Sequence, residues 1–497
     1  MTSLFLGIDI GTSSSKGVLV TAEGEILATH ERGHALSLPF PGWVEHDAES
    51  VWWEDFQHIC RDLLSQASAP VAAICISGIG PCFLAANKQG QPLRPAILYG
   101  IDTRATREIE ELTQTYGAAQ ILERCGSPLT SQSVGPKLLW LRRNEPEVWQ
   151  NTRQLLMASS FIVQRLTNQY VLDHHSASQC DPLYAIHENR WITTWAEEIA
   201  PGLELPRLLW PAEIAGYVTP EAAALTGLPA GIPVAAGTID AWSEALSAGV
   251  SEPGDLMLMY GTTMFLVEVH NEVRIHPSLW STAGVFAGTH TLAAGMSTSG
   301  ALTAWLRQIV GDLPYETLLA EAQEVQAGSD GLVVLPYFAG ERTPIFDPQA
   351  RGLILGLTLR HGRGHLYRAL LEATAYGIRH ILEIMSEAGG NTPRLVAVGG
   401  GTRGGLWTQI VSDVLGLPQD IPAKTIGACY GDAFLAALAS GLVQRDTRWN
   451  PITIRVQPDS TVRPIYDELY SIYRQLYPAT LPQAHQLATL QEIHAHQ

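Results

Sequence analysis

The chain has 497 residues, 46% apolar and 16% charged, which excludes a disordered polyelectrolyte and leaves room for roughly two to four domains with large cores. Its 31 basic and 49 acidic residues give a formal net charge of −18, which argues against general nucleic-acid binding and against adhesion to an anionic membrane surface. The six cysteines form no CxxC pair, no apolar run is long enough to span a bilayer, and no basic segment precedes the first apolar run, so a soluble cytoplasmic protein with free thiols and no signal peptide is expected.

The first predicted element is a strand that starts at Leu4 and ends in Asp9. Gly11 and Thr12 turn the chain, Ser13, Ser14, Ser15 and Lys16 fill the turn, and residues 17–20 return as a second strand. Glycine lets the backbone approach a ligand closely, successive N–H groups make an anion-binding nest, and the hydroxyls and Lys16 add donors. Asp9, at the end of a buried strand, suits a hydrated Mg²⁺, which takes one or two carboxylates plus phosphate oxygens. A phosphate-binding hairpin and an ordinary hairpin with a polar tip both fit these residues.

Residues 25–29 read as a further strand, and PGWVEHD (41–47) as a loop whose Asp47 can cap the helix that follows. That helix carries Val51, Trp52, Ile59, Leu63 and Leu64 on one stripe. Residues 71–77 are a short apolar run of the kind found in buried parallel strands, and the run ends in SGIGP (77–81). Ligands of open α/β sheets gather at such strand ends. Residues 95–99 repeat the pattern and deliver GIDTR (100–104), where Asp102 and Arg104 are either a ligand-facing pair or a surface salt bridge.

Residues 105–230 read as mainly helical, with Trp140 of KLLWL in the core and DHHSAS (173–178) as a polar loop. His174 and His175 lack a third ligand nearby and do not make a metal site. A strand over 233–236 runs into GTIDAWSEAL, which puts Asp240 at a helix start, as a cap or as a general base. Residues 255–259 and YGTTMFLVEV (260–269) echo the opening hairpin, with Gly261, Thr262 and Thr263 in the places of Gly11, Thr12 and Ser13. Such an echo suggests two similarly folded halves. STSGALTAW (297–305) starts a helix, and 333–335 is a strand followed by a long loop with GERTP and DPQARG. The clearest helix spans 365–385 and stops at Gly389. A strand over 395–398 enters GGGTRGG (399–405) and a helix to 415; residues 424–442 form a helix rich in small residues. The polar tail beyond Leu476 is left unassigned.

Three functions compete on these residues. Gly399, Gly401 and Gly404 fit GxGxxG between a strand and a helix, with Asp420 beyond them as a ribose-binding acid, which would suit an NAD-dependent dehydrogenase. That reading leaves both Gly-Thr hairpins idle. A kinase uses all three glycine turns, and the lack of GxxxxGK[ST] means it is not of the P-loop kind. A non-catalytic, actin-like ATP-binding protein shares the two-half plan but has no use for Asp240 or GIDTR.

DIGTSSSKG, PGWVEHD, GTIDAWSEALSAG, YGTT, GERTP with DPQARG, and GGGTRGGLWTQIVSDVLG resemble the FGGY carbohydrate kinases. Residues 352–372, GLILGLTLRHGRGHLYRALLE, resemble that family's long C-terminal signature throughout, and the resemblance covers about residues 4–442, nearest to the xylulokinase-like branch. Departures are Val134 in the upstream signature, YGIDTR in place of a Trp-Asn-Asp-x-Arg run, Gly80 and Pro81 in place of a Met-His pair, and Thr425 in place of an acid.

The resemblance implies an α/β fold of two actin-like (ribonuclease H-like) domains, residues 1–243 for the sugar and 244–497 for the nucleotide, with ATP and sugar in a cleft whose closure excludes water. It implies Asp240 as general base. Asp102, Arg104, Gly80 and Pro81 would join Asp240 around the sugar. Gly11, Thr12, Ser13, Lys16, Gly261, Thr262, Thr263, Gly300, Gly400 and Gly401 would bind ATP, and Asp9 would hold Mg²⁺ through water. The expected partners are ATP and a small sugar, most simply a ketopentose such as xylulose, with no nucleic acid and no membrane; a homodimer is the assembly considered.

Overall fold

The computed structural model describes residues 3–391 and 394–495, with the side chains of 492–495 left aside. The chain divides into two compact units. The first comprises residues 1–253, 269–291 and 426–451; the second comprises 254–268, 292–425 and 452–497. Both units are discontinuous in sequence.

The first unit is built on a mixed sheet ordered Ile214–Tyr217, Pro233–Ala235, Val71–Gly78, Leu4–Ile10, Ser14–Thr21 and Ile26–Gly33. The last three are an antiparallel meander, while Val71–Gly78 lies parallel to both Leu4–Ile10 and Pro233–Ala235. Leu4–Ile10 is apolar on both faces because both are covered. Helix Glu54–Ser65 packs through Gly17, where an added Cβ would sit 2.3 Å from Ile59. Helix Ala428–Ala439 packs through Gly7, where an added Cβ would sit 1.9 Å from the Cys429 carbonyl. Gly7 and Gly17 face opposite sides, so one helix sits on each.

The second unit repeats the theme. Asp255–Tyr260 and Met264–His270 form an antiparallel hairpin, and Arg394–Val398 pairs in parallel with Asp255–Tyr260. Gln419–Pro422 and Ile452–Val456 extend the sheet. The YGTT echo of the opening stretch is therefore an echo of topology: a hairpin whose first strand also pairs in parallel with a later strand.

Several local expectations shift. Asp47 caps as expected, accepting from Ser50 N at 2.8 Å, but the turn it caps, Ala48–Trp53, is π-helical. DHHSAS is not a loop: Asp173 ends strand Val171–Asp173 and caps helix His174–Ser178 by accepting from Ser176 N at 3.0 Å. The small-residue helix starts at Ala428 instead of 424, because Gly427 adopts a φ of +112° that stops helix propagation backwards. The unassigned tail belongs to a long helix, Arg463–Ala495, with Pro478 and Pro482 inside it. No described helix is long and apolar enough to cross a membrane.

Candidate active site

The opening hairpin turns at Gly11, whose N–H donates to Ser14 O at 3.1 Å; an added Cβ would sit 2.5 Å from that carbonyl, so the turn needs glycine. Two residues the sequence reading passed over brace it from below. His34 Nε2 donates to Gly11 O at 3.1 Å, its backbone N donates to Ser13 O at 2.9 Å, and its Nδ1 lies 2.8 Å from Asp55 Oδ2. Asp55 also accepts from Ser15 Oγ at 2.9 Å and pairs with Arg32 Nε at 2.7 Å. Thr12 Oγ1 meets the Tyr99 hydroxyl at 3.3 Å, and Ser13 is exposed at the tip. Lys16 stands opposite Asp9 in register and pairs with Glu31 of the next strand at 3.6 Å.

Asp9 faces Ser77 in register on the neighbouring strand, and Ser77 faces Thr238 on its other side. Asp240 follows two residues later as the first residue of helix Asp240–Ser247. It does not cap the helix end from outside; its Oδ1 accepts from the next residue's N–H, Ala241 N, at 2.7 Å. Burial and the charge of Asp9 hold its carboxyl well above the ordinary range. Burial pushes Asp9 up to about 6, against the pull of Lys16 and Ser77. Glu244, one turn beyond Asp240, is pushed up to about 7 by burial and by Asp9. Glu244 was missed, although its i+4 spacing from Asp240 puts both acids on one helix face. Gly80 lies against the residue before Asp240: a Cβ there would sit 2.6 Å from Ile239. The SGIGP turn with Gly80 and Pro81 is thus brought to Asp240.

Asp102 and Arg104 are neither a surface salt bridge nor a pair with free donors and acceptors. Both side chains are fully buried. Asp102 Oδ1 accepts from Arg104 N at 3.1 Å and Nε at 2.9 Å; Oδ2 accepts from Val44 N and Arg104 Nη2, each at 2.7 Å. Arg104 Nη1 donates to Glu45 at 2.8 Å, and the guanidinium lies 4.0 Å from the Trp43 ring and 5.0 Å from Trp140. The Asp102 oxygens meet protein donors, and the pair locks the GIDTR loop to residues 43–45.

His174 meets the Tyr184 hydroxyl at 2.8 Å and stacks on Trp210; His175 donates to Ala283 O at 2.8 Å. Among the described residues no cluster of three metal-ligating side chains occurs.

In the second unit, three predicted elements meet. Gly300 N donates to Gly261 O at 3.0 Å, and Ser299 N and Ala301 N each donate to Thr262 O at 3.0 Å, so helix Gly300–Ile309 starts on the Gly261–Thr263 turn. Ser299 Oγ is buried there without a hydrogen-bond partner among the described residues. Gly399, at φ +93°, lies against Tyr260 O, and Gly401 lies against Tyr260 and the Trp407 ring, whereas Gly400 has open space where a side chain would stand. Asp420 does not wait for a ribose: it sits on strand Gln419–Pro422 between Arg394 and Arg455, at 3.3 and 3.6 Å.

Residues 4–247 match the N-terminal domain, and residues 256–440 the C-terminal domain, of the FGGY family of carbohydrate kinases. The chain is 28% identical to the xylulose kinase of Escherichia coli over 504 residues, 96% of this chain and 99% of that one. It is 25% identical to the gluconokinase of Bacillus subtilis over 506 residues, covering 96% and 97% of the two chains. The crystal structure of xylulose kinase from Rhodospirillum rubrum superposes with a TM-score of 0.89 at 32% identity, covering 97% of this chain and all of that one. These matches set aside the dehydrogenase and the non-catalytic readings: the chain belongs to the FGGY family of carbohydrate kinases.

Proposed function

We propose that this chain transfers the γ-phosphoryl group of ATP to a hydroxyl of a small sugar, in the first place a ketopentose such as D-xylulose, with Asp240 as general base. The observation that carries the reading is the placement of Asp9 and Asp240 at adjacent strand ends on either side of Ser77, beside the Gly80–Pro81 turn. Asp240 accepts the proton of the attacking hydroxyl, and its raised pKa brings it closer to the working pH, where a base is most effective. Gly11, Thr12, Ser13 and Lys16 are the phosphate donors proposed in the first unit. In the second unit Gly261, Thr262, Thr263, Gly300, Gly400 and Gly401 are the residues proposed to bind ATP. Arg104, with Asp102, holds the loop that flanks the sugar.

Asp9 fits Mg²⁺: it is a hard carboxylate whose Oδ1 has a long 3.4 Å contact to Ser77, and burial raises its pKa to about 6 despite Lys16. When bound, the ion neutralises charge on the phosphates. Asp9 is the residue that would hold it.

An ATP-coupled assay over ketopentoses, polyols and aldonic acids tests the substrate class. Turnover of a ketopentose supports the reading. Turnover of aldonic acids alone overturns the pentose assignment and favours the gluconokinase relative. Turnover of none overturns the kinase activity proposed for this chain.

Two expectations arise here. The acid limb of kcat/KM should lie well above the ordinary carboxylate range, because the free enzyme's Asp240 takes up its proton at a raised pH; a pH profile flat down to pH 5 would remove Asp240 as the base. Gly400→Val should raise KM for ATP on the order of tenfold, about 1.4 kcal/mol, and leave the melting temperature unchanged, since no atom lies within 4 Å of the added Cβ. An unchanged KM for ATP would place the nucleotide elsewhere.

A further inference from the structure

The helix Ala428–Ala439 is made almost wholly of apolar and small residues, and it packs closer than side chains normally allow. At Gly7 it touches the strand of Asp9; at Gly431 an added Cβ would sit 1.9 Å from Ser243 O, on the helix of Asp240. Between these two contacts stands a buried acid, Asp432, with no exposure and with Ser77, Ser243 and Asp9 as its polar neighbours. Burying a carboxyl group in such a place is costly, so its hydrogen bonds matter. Asp432 Oδ2 accepts from Ser77 Oγ at 2.7 Å, and Oδ1 accepts from Ser243 Oγ at 2.5 Å. Ser77 Oγ also lies 3.4 Å from Asp9 Oδ1. Ser243 sits one turn beyond Asp240 on the same helix.

We propose that Asp432 is a positioning residue: through Ser77 on one side and Ser243 on the other, it fixes the spacing between the Asp9 strand and the helix that presents Asp240. Ser77 has one proton and two carboxylates to choose between, Asp432 and Asp9, so the choice made at Asp432 also sets the hydrogen bond Asp9 receives. A brace of this kind controls how the base meets the hydroxyl. Small misplacements of reacting groups cost far more in rate than in binding.

The inference rests on the kinase reading, and its test has an arm that needs no turnover. Asp432→Ala removes both acceptors. It should lower kcat by about 10- to 100-fold with KM for sugar and ATP little changed, the loss expected of a small misplacement. Amide hydrogen exchange should quicken over residues 77–80 and 240–247 and stay as in the wild type elsewhere in the first unit. Asp432→Asn keeps the shape; its carbonyl accepts from one serine and its NH₂ donates to the other, which leaves the Ser77 proton for Asp9. That variant should recover most of kcat and the slow exchange. Ser77→Ala with Ser243→Ala should match Asp432→Ala instead of adding to it. Wild-type kcat in Asp432→Ala, or exchange that quickens evenly through the unit, overturns the brace in favour of a packing plug. If Asp432→Ala fails to fold, Ser243→Ala decides: unchanged kcat and exchange overturn the proposal. A wild-type protein that phosphorylates no sugar sinks the kinase reading, and the exchange arm still judges the brace.

Discussion

Asp240→Asn is expected to lower kcat by about 10²–10⁴-fold, the usual size of a general-base contribution, with the fold intact. It should also make the protein more stable above neutral pH. In the unfolded chain Asp9 and Asp240 release their protons near pH 4, as ordinary aspartates do. In the fold they keep them to higher pH, Asp9 to about 6 and its neighbour Glu244 to about 7. Between those values the folded state binds more protons than the unfolded one, so stability present at low pH is lost as pH rises through the window. An amide at 240 removes one of the three crowded charges. The melting temperature of Asp240→Asn should therefore exceed that of the wild type at pH 8, with the difference closing toward pH 4, where the native carboxyl is also neutral. Calorimetry at several pH values and steady-state kinetics test this together. Near-normal turnover would reduce Asp240 to a residue that starts a helix.

Arg104→Met is expected to destabilise the first unit by about 3–5 kcal/mol, the range for breaking a buried ion pair by removing one partner. Arg104 answers two buried carboxylates at once, Asp102 and Glu45, and its guanidinium lies over Trp43 and Trp140. Methionine keeps much of the packing and leaves Asp102 with only the Val44 N–H from outside its own loop. A urea titration should show an earlier midpoint. Asp102→Asn should weaken the same lock and leave KM for sugar little changed, since the carboxylate has no oxygen to spare. If KM rises while the midpoint stays put, Asp102 returns as a substrate clamp.

The parts of the site that follow from local chemistry were legible in the sequence. A strand ending in Asp9, a Gly-Thr turn, a helix starting at Asp240 and a triple-glycine loop are each written within a dozen residues, and each stands where the pattern puts it. What escaped was long-range partnership. Nothing near GIDTR says that Val44 and Glu45 will occupy Asp102 and Arg104, because those contacts join segments 58 and 59 residues apart. His34 and Asp55 reach the hairpin from 23 and 40 residues away, and Asp432 reaches Ser77 across 355. An acid in a run of glycines and alanines was the only trace of that last contact. The tail beyond Leu476 is polar and carried no clear apolar stripe to read, yet it belongs to a helix that continues through Pro478 and Pro482.

The return of residues 426–451 to the first unit also bears on how the chain comes to be made. The strand of Asp9 leaves the ribosome long before helix Ala428–Ala439, which roofs one face of it. At elongation rates of about 5–20 residues per second, the roughly 190 residues from the end of the first long segment to the end of that helix take about 10–40 seconds to appear. Throughout that interval the Gly7 face, apolar and flat, has nothing over it. Until the late helix arrives the nascent first unit exposes that face, and a chain cut short before residue 428 would go on exposing it.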